Sequence, residues 1–314
     1  MMRPFLALVI LAAACGGGGG TNNDMMPGDD AGPADATPDA YVPPAGYTRL
    51  IGGTWNLAAG QKDTYVCVRF TVAQDTYITN IIAQAPSGTH HTVLSISDGS
   101  TAGPDNQYPC NVSELGMVML YASGVGTSPL DFPTNVGVKV AAGTQLHLNL
   151  HLFNATDNPL SGESAIWVKS QATPTPTLAE MVFAGRIAFA IAANNQDTNI
   201  VGGCNNTRNF SLFAVWPHMH QIANHSKFEI IRGGVPQVIH DAPYTFAEQN
   251  YYKKSPEIQV MNGDQIRVTC TFRNNTGQVV TFGDSSNQEM CFVGMYRYPA
   301  ANSGLTECTD QPNF

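Results

Sequence analysis

The chain has 314 residues and a formal net charge of −9, and charged residues make up only 12% of it, about half the usual share. Hydrophobic residues reach 43%, so the bulk has the material for a core and is not a disordered chain. The charge forms no basic stripe, which excludes a nucleic-acid-binding surface. The body has no apolar run of about 18 residues to span a membrane, and its Gly, Thr, Asn and Val content favours β structure over helix.

Met1–Ala14 reads as a secretion signal. Arg3 gives the positive start, Phe5–Leu11 the apolar stretch, and small Ala12–Ala14 precede Cys15. This resembles a bacterial lipoprotein signal, in which the cysteine becomes the lipidated first residue, although Ala12 stands where such signals usually carry Leu. The expectation is an exported protein held to a bacterial membrane by a lipid on Cys15 alone. Residues 16–46, with Gly16–Gly20 and an Asp/Pro/Ala-rich stretch, read as a flexible acidic tether. Without Cys15, six cysteines remain: Cys67, Cys110, Cys204, Cys270, Cys291 and Cys308. An even number in an exported chain implies disulfides, with 15 pairings open on arithmetic. No Cys-x-x-Cys spacing occurs, which excludes a zinc ribbon.

Along the body, Gln145–Phe153 is the clearest strand, with Leu146, Leu148, Leu150 and Leu152 on one side and Gln145, His147, Asn149 and His151 on the other. Thr173–Thr177 alternates Thr and Pro and reads as a stiff extended linker. It divides an N-terminal domain, 47–172, from a C-terminal one, 173–314. Phe228–Val238 folds back at Gly233-Gly234 as a hairpin, and Ile266, Val268, Cys270 and Phe272 alternate after an Asn262-Gly263 turn. No long amphipathic helix is visible. Short strands and turns at this pace predict an all-β chain of antiparallel sandwiches.

Eight histidines carry the chemistry. His90 and His91 are adjacent, His147 and His151 share one strand face, and His218-Met219-His220 is an H-x-H that a strand would point to one side. His90 and His91 would need a bulge or a strand end to share a metal. Imidazole suits copper, zinc, iron or nickel. His147 reads as a polar residue on a solvated strand face, and His225 and His240 as surface residues. Met290, in Gly283–Phe292, directly precedes Cys291 in a polar stretch, and a thioether is a soft ligand that favours Cu(I).

Tyr65-Val-Cys67, Thr89-His90-His91, Leu148-Asn-Leu-His151, Pro217-His-Met-His220 and Glu289-Met-Cys291 occur in this order. The ordered set resembles the copper type II, ascorbate-dependent monooxygenases, the family of peptidylglycine α-hydroxylating monooxygenase and dopamine β-monooxygenase. The resemblance spans about Tyr47 to Pro299. It implies two tandem jelly-roll-like β-sandwiches with a cleft between two copper sites. His90, His91 and His151 would hold one copper; His218, His220 and Met290 would hold the other, where O2 is met. It implies disulfides Cys67–Cys110, Cys204–Cys308 and Cys270–Cys291. The implied reaction is hydroxylation of a C–H bond of a small organic substrate, with ascorbate or another one-electron donor reloading both coppers. Trp216 stands where the peptide-hydroxylating member has the Arg that grips a substrate carboxylate, and Gly294 where it has a Tyr. A peptide carboxy-terminus is therefore a poor substrate. Trp216 points to an apolar or aromatic one if it faces the cleft, and to plain core packing if it does not. Two readings compete: a non-catalytic copper-binding lipoprotein for capture or delivery, which needs only one site, and a β-sandwich binding module with incidental histidines.

Overall fold

The computed structural model describes residues 41–310 apart from Met117, Val125, Ala247 and Ser286. The signal-like segment, Cys15 and the tether up to residue 40 lie outside the described residues. Every regular element among those described is a β-strand, and no helix among them is long and apolar enough to cross a membrane.

The first sandwich packs two sheets. One runs, in spatial order, Thr48–Leu57, Leu160–Gln171, Thr76–Gln84, Val136–Val140 and Thr177–Leu178, with Leu130–Asp131 also paired to Thr76–Gln84. The other runs Gln107–Pro109, Thr64–Thr71, Gln145–Leu152, Thr89–Ile96 and Val118–Gly124. The alternating leucines of Gln145–Leu152 are all fully buried between the sheets. Period-2 alternation explains that face. The opposite face, expected to be solvated, is buried as well, because residues 108–116 fold over it: Asn149 Nδ2 donates to the carbonyls of Asn111 (3.0 Å) and Glu114 (3.3 Å).

The second sandwich opposes Tyr252–Val260, Phe210–His218, Cys291–Tyr298, Glu180–Arg186 and Cys308–Thr309 to Asp197–Asn205, Gln265–Arg273, Ala223–Arg232 and Val235–Pro243. The expected hairpin is present: Arg232 pairs with Val235 around Gly233-Gly234, both at positive φ, the conformation a two-residue hairpin turn requires. The Asn262-Gly263 turn instead carries the chain from one sheet to the other. All three disulfides implied by the resemblance are formed. Cys270–Cys291 and Cys204–Cys308 each join the two sheets of the second sandwich.

From Tyr41 onward the chain is one compact unit. Thr177–Leu178, just after the Thr-Pro run, pairs in parallel with Val136 and Gly137 of the first sandwich. Across the seam, Phe213, Trp216, Tyr251 and Tyr296 join the same apolar cluster as Leu120, Tyr121, Ala122 and Leu130. The Tyr251 hydroxyl bonds to the backbone of Ala122, accepting from its N–H (3.0 Å) and donating to its carbonyl. Thr127 Oγ1 donates to the Gln249 carbonyl at 2.8 Å. The 244–251 loop thus belongs to one sandwich and is fastened to the other.

Candidate metal centres

The first histidine set is made by a strand irregularity. Thr89–Ile96 pairs with Gln145–Leu152 as Thr89↔Leu152 and then His91↔His151, so His90 is the extra residue of a bulge. A bulge re-aims side chains, and here it brings two adjacent histidines together. Gly88 prepares the turn: it has φ +101°, and a Cβ there would lie 2.5 Å from the Trp55 ring. The Nδ1 atoms of His90 and His91 are 3.2 Å apart, and those of His151 and His91 3.3 Å. Ligand atoms of the three rings all lie within 4.8 Å of one another. His151 Nε2 sits 3.0 Å from Asp63 Oδ1. An ionised carboxylate only accepts, so Nε2 carries the proton and Nδ1 keeps its lone pair. Tyr65 lies flat on the His151 ring, 4.5 Å away at 4°. Burial, then the His151 charge, pushes His90 down to about 4. Burial pushes His91 well below its usual value, and His151 is lowered by burial despite Asp63. All three rings are therefore neutral at pH 7, the form a metal binds.

The second set gathers at a strand end. His218 closes Phe210–His218, and His220 lies in the turn that follows, so the turn and not strand alternation aims the pair. His218 Nδ1 donates to Gln249 Oε1 at 3.0 Å, and His220 Nδ1 to the Gln288 carbonyl at 3.0 Å. Both acceptors leave the Nε2 lone pairs free. Tyr244 pins the residue between them: its hydroxyl accepts from the Met219 N–H (3.1 Å) and donates to the Met219 carbonyl (2.6 Å). Glu289 clamps the turn from the other side, accepting from the N–H groups of His220 (2.7 Å) and Ile222 (2.8 Å). Burial pushes Glu289 up to about 7. Burial, then the neighbouring His220, holds His218 at about 3.

His218, His220 and Met290 line one cavity of about 200 Å³, and His91 of the first set lines it too. Phe246 stands between the sets, its ring centroid 4.9 Å from His90 and 5.7 Å from His220. The rest of the wall is mostly apolar, including Phe183, Trp216, Phe282 and Phe292. Among the described lining residues there is no Lys or Arg, and Asp284 is the one carboxylate. The donor chemistry fits copper: three imidazoles at one place, two imidazoles beside a thioether at the other.

Residues 177–313 match the family model described as "copper type II ascorbate-dependent monooxygenase, C-terminal domain". The C-terminal part of the chain is thus similar to this family's C-terminal domain. A curated relative, "MOXD1 homolog 2" of Drosophila melanogaster, is 27% identical over 107 residues, which are 33% of this chain and 14% of the relative. The matched stretch is thus a small part of that relative's length. Among solved structures, the major capsid protein P2 of bacteriophage PM2 overlaps 84% of this chain and 99% of its own, with TM-score 0.34 and 11% identity. Latent PorU from Porphyromonas gingivalis overlaps 75% of this chain and 24% of its own, with TM-score 0.18 and 7% identity. TM-scores that low carry no weight for fold or function.

Two histidines depart from expectation. His147 is not solvated: it is fully buried, its Nε2 3.1 Å from the Tyr108 hydroxyl. Its side chain belongs to a polar cluster with Tyr108 and Glu114, because residues 108–116 cover its strand face. His240 is buried at 7% exposure rather than on the surface, since the bulge between Phe228 and Glu229 sets it opposite Phe228 and under Tyr252. His225 is half-exposed and pairs with Asp241 at 3.1 Å. Trp216 fits both of its readings: it is buried, stacked on His218 at 4.8 Å and 15°, and it lines the cavity. Asp63, Gln249 and Phe246 are site residues that sequence reading missed. Each sits in a loop, and no local pattern ties it to a histidine far away in the chain.

Proposed function

We propose that this copper monooxygenase-like chain hydroxylates a C–H bond of a small apolar molecule, using O2 and an external one-electron reductant such as ascorbate. One observation carries the reading: a ring of the all-histidine set and the whole His218/His220/Met290 set line a single, mostly apolar cavity. A carrier needs one site, and nothing in its task calls for two donor sets around one apolar cavity.

In this reading His90, His91 and His151 hold one copper through their facing Nδ1 atoms, and His218, His220 and Met290 hold the second. Copper supplies the one-electron steps and the reaction with O2. The thioether of Met290 tilts its site toward the reduced ion, while three imidazoles suit both oxidation states. Gln249, the Gln288 carbonyl and Asp63 each fix a ring proton on the nitrogen that faces away from the metal. Trp216, Phe183 and Phe292 stack around His218 and keep water from the reacting end. The lack of any lysine or arginine in the described wall argues against an anionic substrate. Export and anchoring to a bacterial membrane through Cys15, with residues 16–46 as the tether, belong to the same proposal.

The test is copper per chain after loading under reducing conditions. Two ions in the parent and one each in Met290→Ala and His151→Ala is the expected result. One ion or none in the parent overturns the reading.

A further inference from the structure

The metal-lined cavity has a neighbour. Met119 and Leu305 belong to its wall and also to the wall of a second hollow of about 400 Å³. The two spaces thus share two apolar wall residues. One of them, Met119, is unbranched with three rotatable bonds and swings aside at little cost. The second hollow lies in the seam, between the edge strand Val118–Gly124 of the first sandwich and Glu180–Arg186 of the second. Ile96, Leu120, Val138 and Val182 give it an apolar lining, and Val118 and Leu178, 50% and 38% exposed, stand where it meets solvent. Its charged residues are already paired: Lys139 with Asp75 at 2.9 Å, and Glu180 with Arg297 at 2.8 Å.

The second hollow is open to solvent at Val118 and Leu178, so it is a cleft that a ligand can enter from outside. Taken alone, the metal-lined cavity is smaller than the roughly 300–1,000 Å³ usual for ligand sites, whereas the two together fall inside that range. We infer that the second hollow is a tail site for an elongated, uncharged, apolar substrate. The reacting end lies beside Met290, and the chain passes between Met119 and Leu305 into the seam. The identity of the reacting end rests on the monooxygenase reading; the binding of the tail does not, since it needs no copper.

The probe is the series of straight-chain 1-alkanols from butanol to dodecanol, titrated into the full chain with and without copper by displacement of an apolar fluorophore. Affinity is expected to climb about fourfold per methylene through the whole series. Leu305→Trp, which enlarges a shared wall residue, is expected to stop the climb after the short members. Val118→Asp puts a charge in the second hollow from a half-exposed position that tolerates it. It is expected to weaken dodecanol at least tenfold and leave butanol unchanged. A parent series that flattens after the short alcohols overturns the tail site, and so do two variants that climb like the parent. A full climb without O2-dependent turnover supports the tail site and counts against the monooxygenase reading. A flat series in a chain that binds two coppers and hydroxylates a short substrate overturns the tail site alone.

Discussion

The Nε2 of His151 lies 3.0 Å from Oδ1 of Asp63, and that bond decides which nitrogen of the ring is left for a metal. Losing such a partner typically weakens metal binding 10–100-fold. Asp63 is 61% exposed, so water replaces part of what it does and the lower end is expected. Asp63→Ala should weaken copper about tenfold at the His90/His91/His151 set and leave the other set unchanged. A Cu(I) competition titration against a chelator reads both, and equal loss at both sets would reject the assignment.

In the second sandwich, Gln249 holds His218 in the same manner. Gln249→Leu keeps the volume and removes the acceptor. Copper at the His218/His220/Met290 set should weaken by about 10–100-fold. The all-histidine set serves as the internal control in the same titration.

Phe246 fills the space between His90 and His220. Phe246→Ala leaves every proposed ligand in place but makes room for water, and excluding water is how such a site prevents wasteful side reactions. The variant should keep two coppers and consume more O2 per product formed. Unchanged coupling would reduce the ring to packing.

His240 makes stability depend on pH away from the metal ligands. Burial first, and the Lys254 charge next, pushes it down to about 4, whereas the unfolded chain takes up that proton near pH 6.5. Between these values the unfolded state binds more protons, so stability rises with pH. The contribution is complete above about 6.5 and is lost as pH falls to about 4, a difference of about 3 kcal/mol. His240→Gln should show a shallower acid limb by that amount in urea unfolding from pH 7 to 4. Parallel limbs would mean His240 does not titrate in this way.

Cys270–Cys291 closes a span of 21 residues beside Met290. Replacing both by Ser should destabilise the chain by about 3 kcal/mol. Copper should be lost first from the Met290 set, because the bridge anchors that end of the strand. Thermal unfolding and copper counts on the same samples check both parts.

The leucine face of Gln145–Leu152, the Gly233-Gly234 hairpin and the need for a bulge at His90-His91 were legible because each is a local matter of period or turn chemistry. The disulfides came from resemblance, since parity alone left their pairing open. The other face of Gln145–Leu152 was misread for a physical reason. Hydropathy alternation cannot separate a polar face wetted by solvent from one covered by a polar segment: here His147 Nε2 meets the Tyr108 hydroxyl and Asn149 the carbonyls of Asn111 and Glu114. Asp63, Gln249 and Phe246 escaped because their roles arise only when distant loops meet.

The 244–251 loop pins Met219 through Tyr244 and His218 through Gln249, and its Tyr251 is bonded to Ala122 of the other sandwich. Swinging the two halves apart would therefore pull on the very turn that aims the H-x-H pair. Whatever loosens the docking of the halves is therefore expected to disturb the aim of His218 and His220 as well.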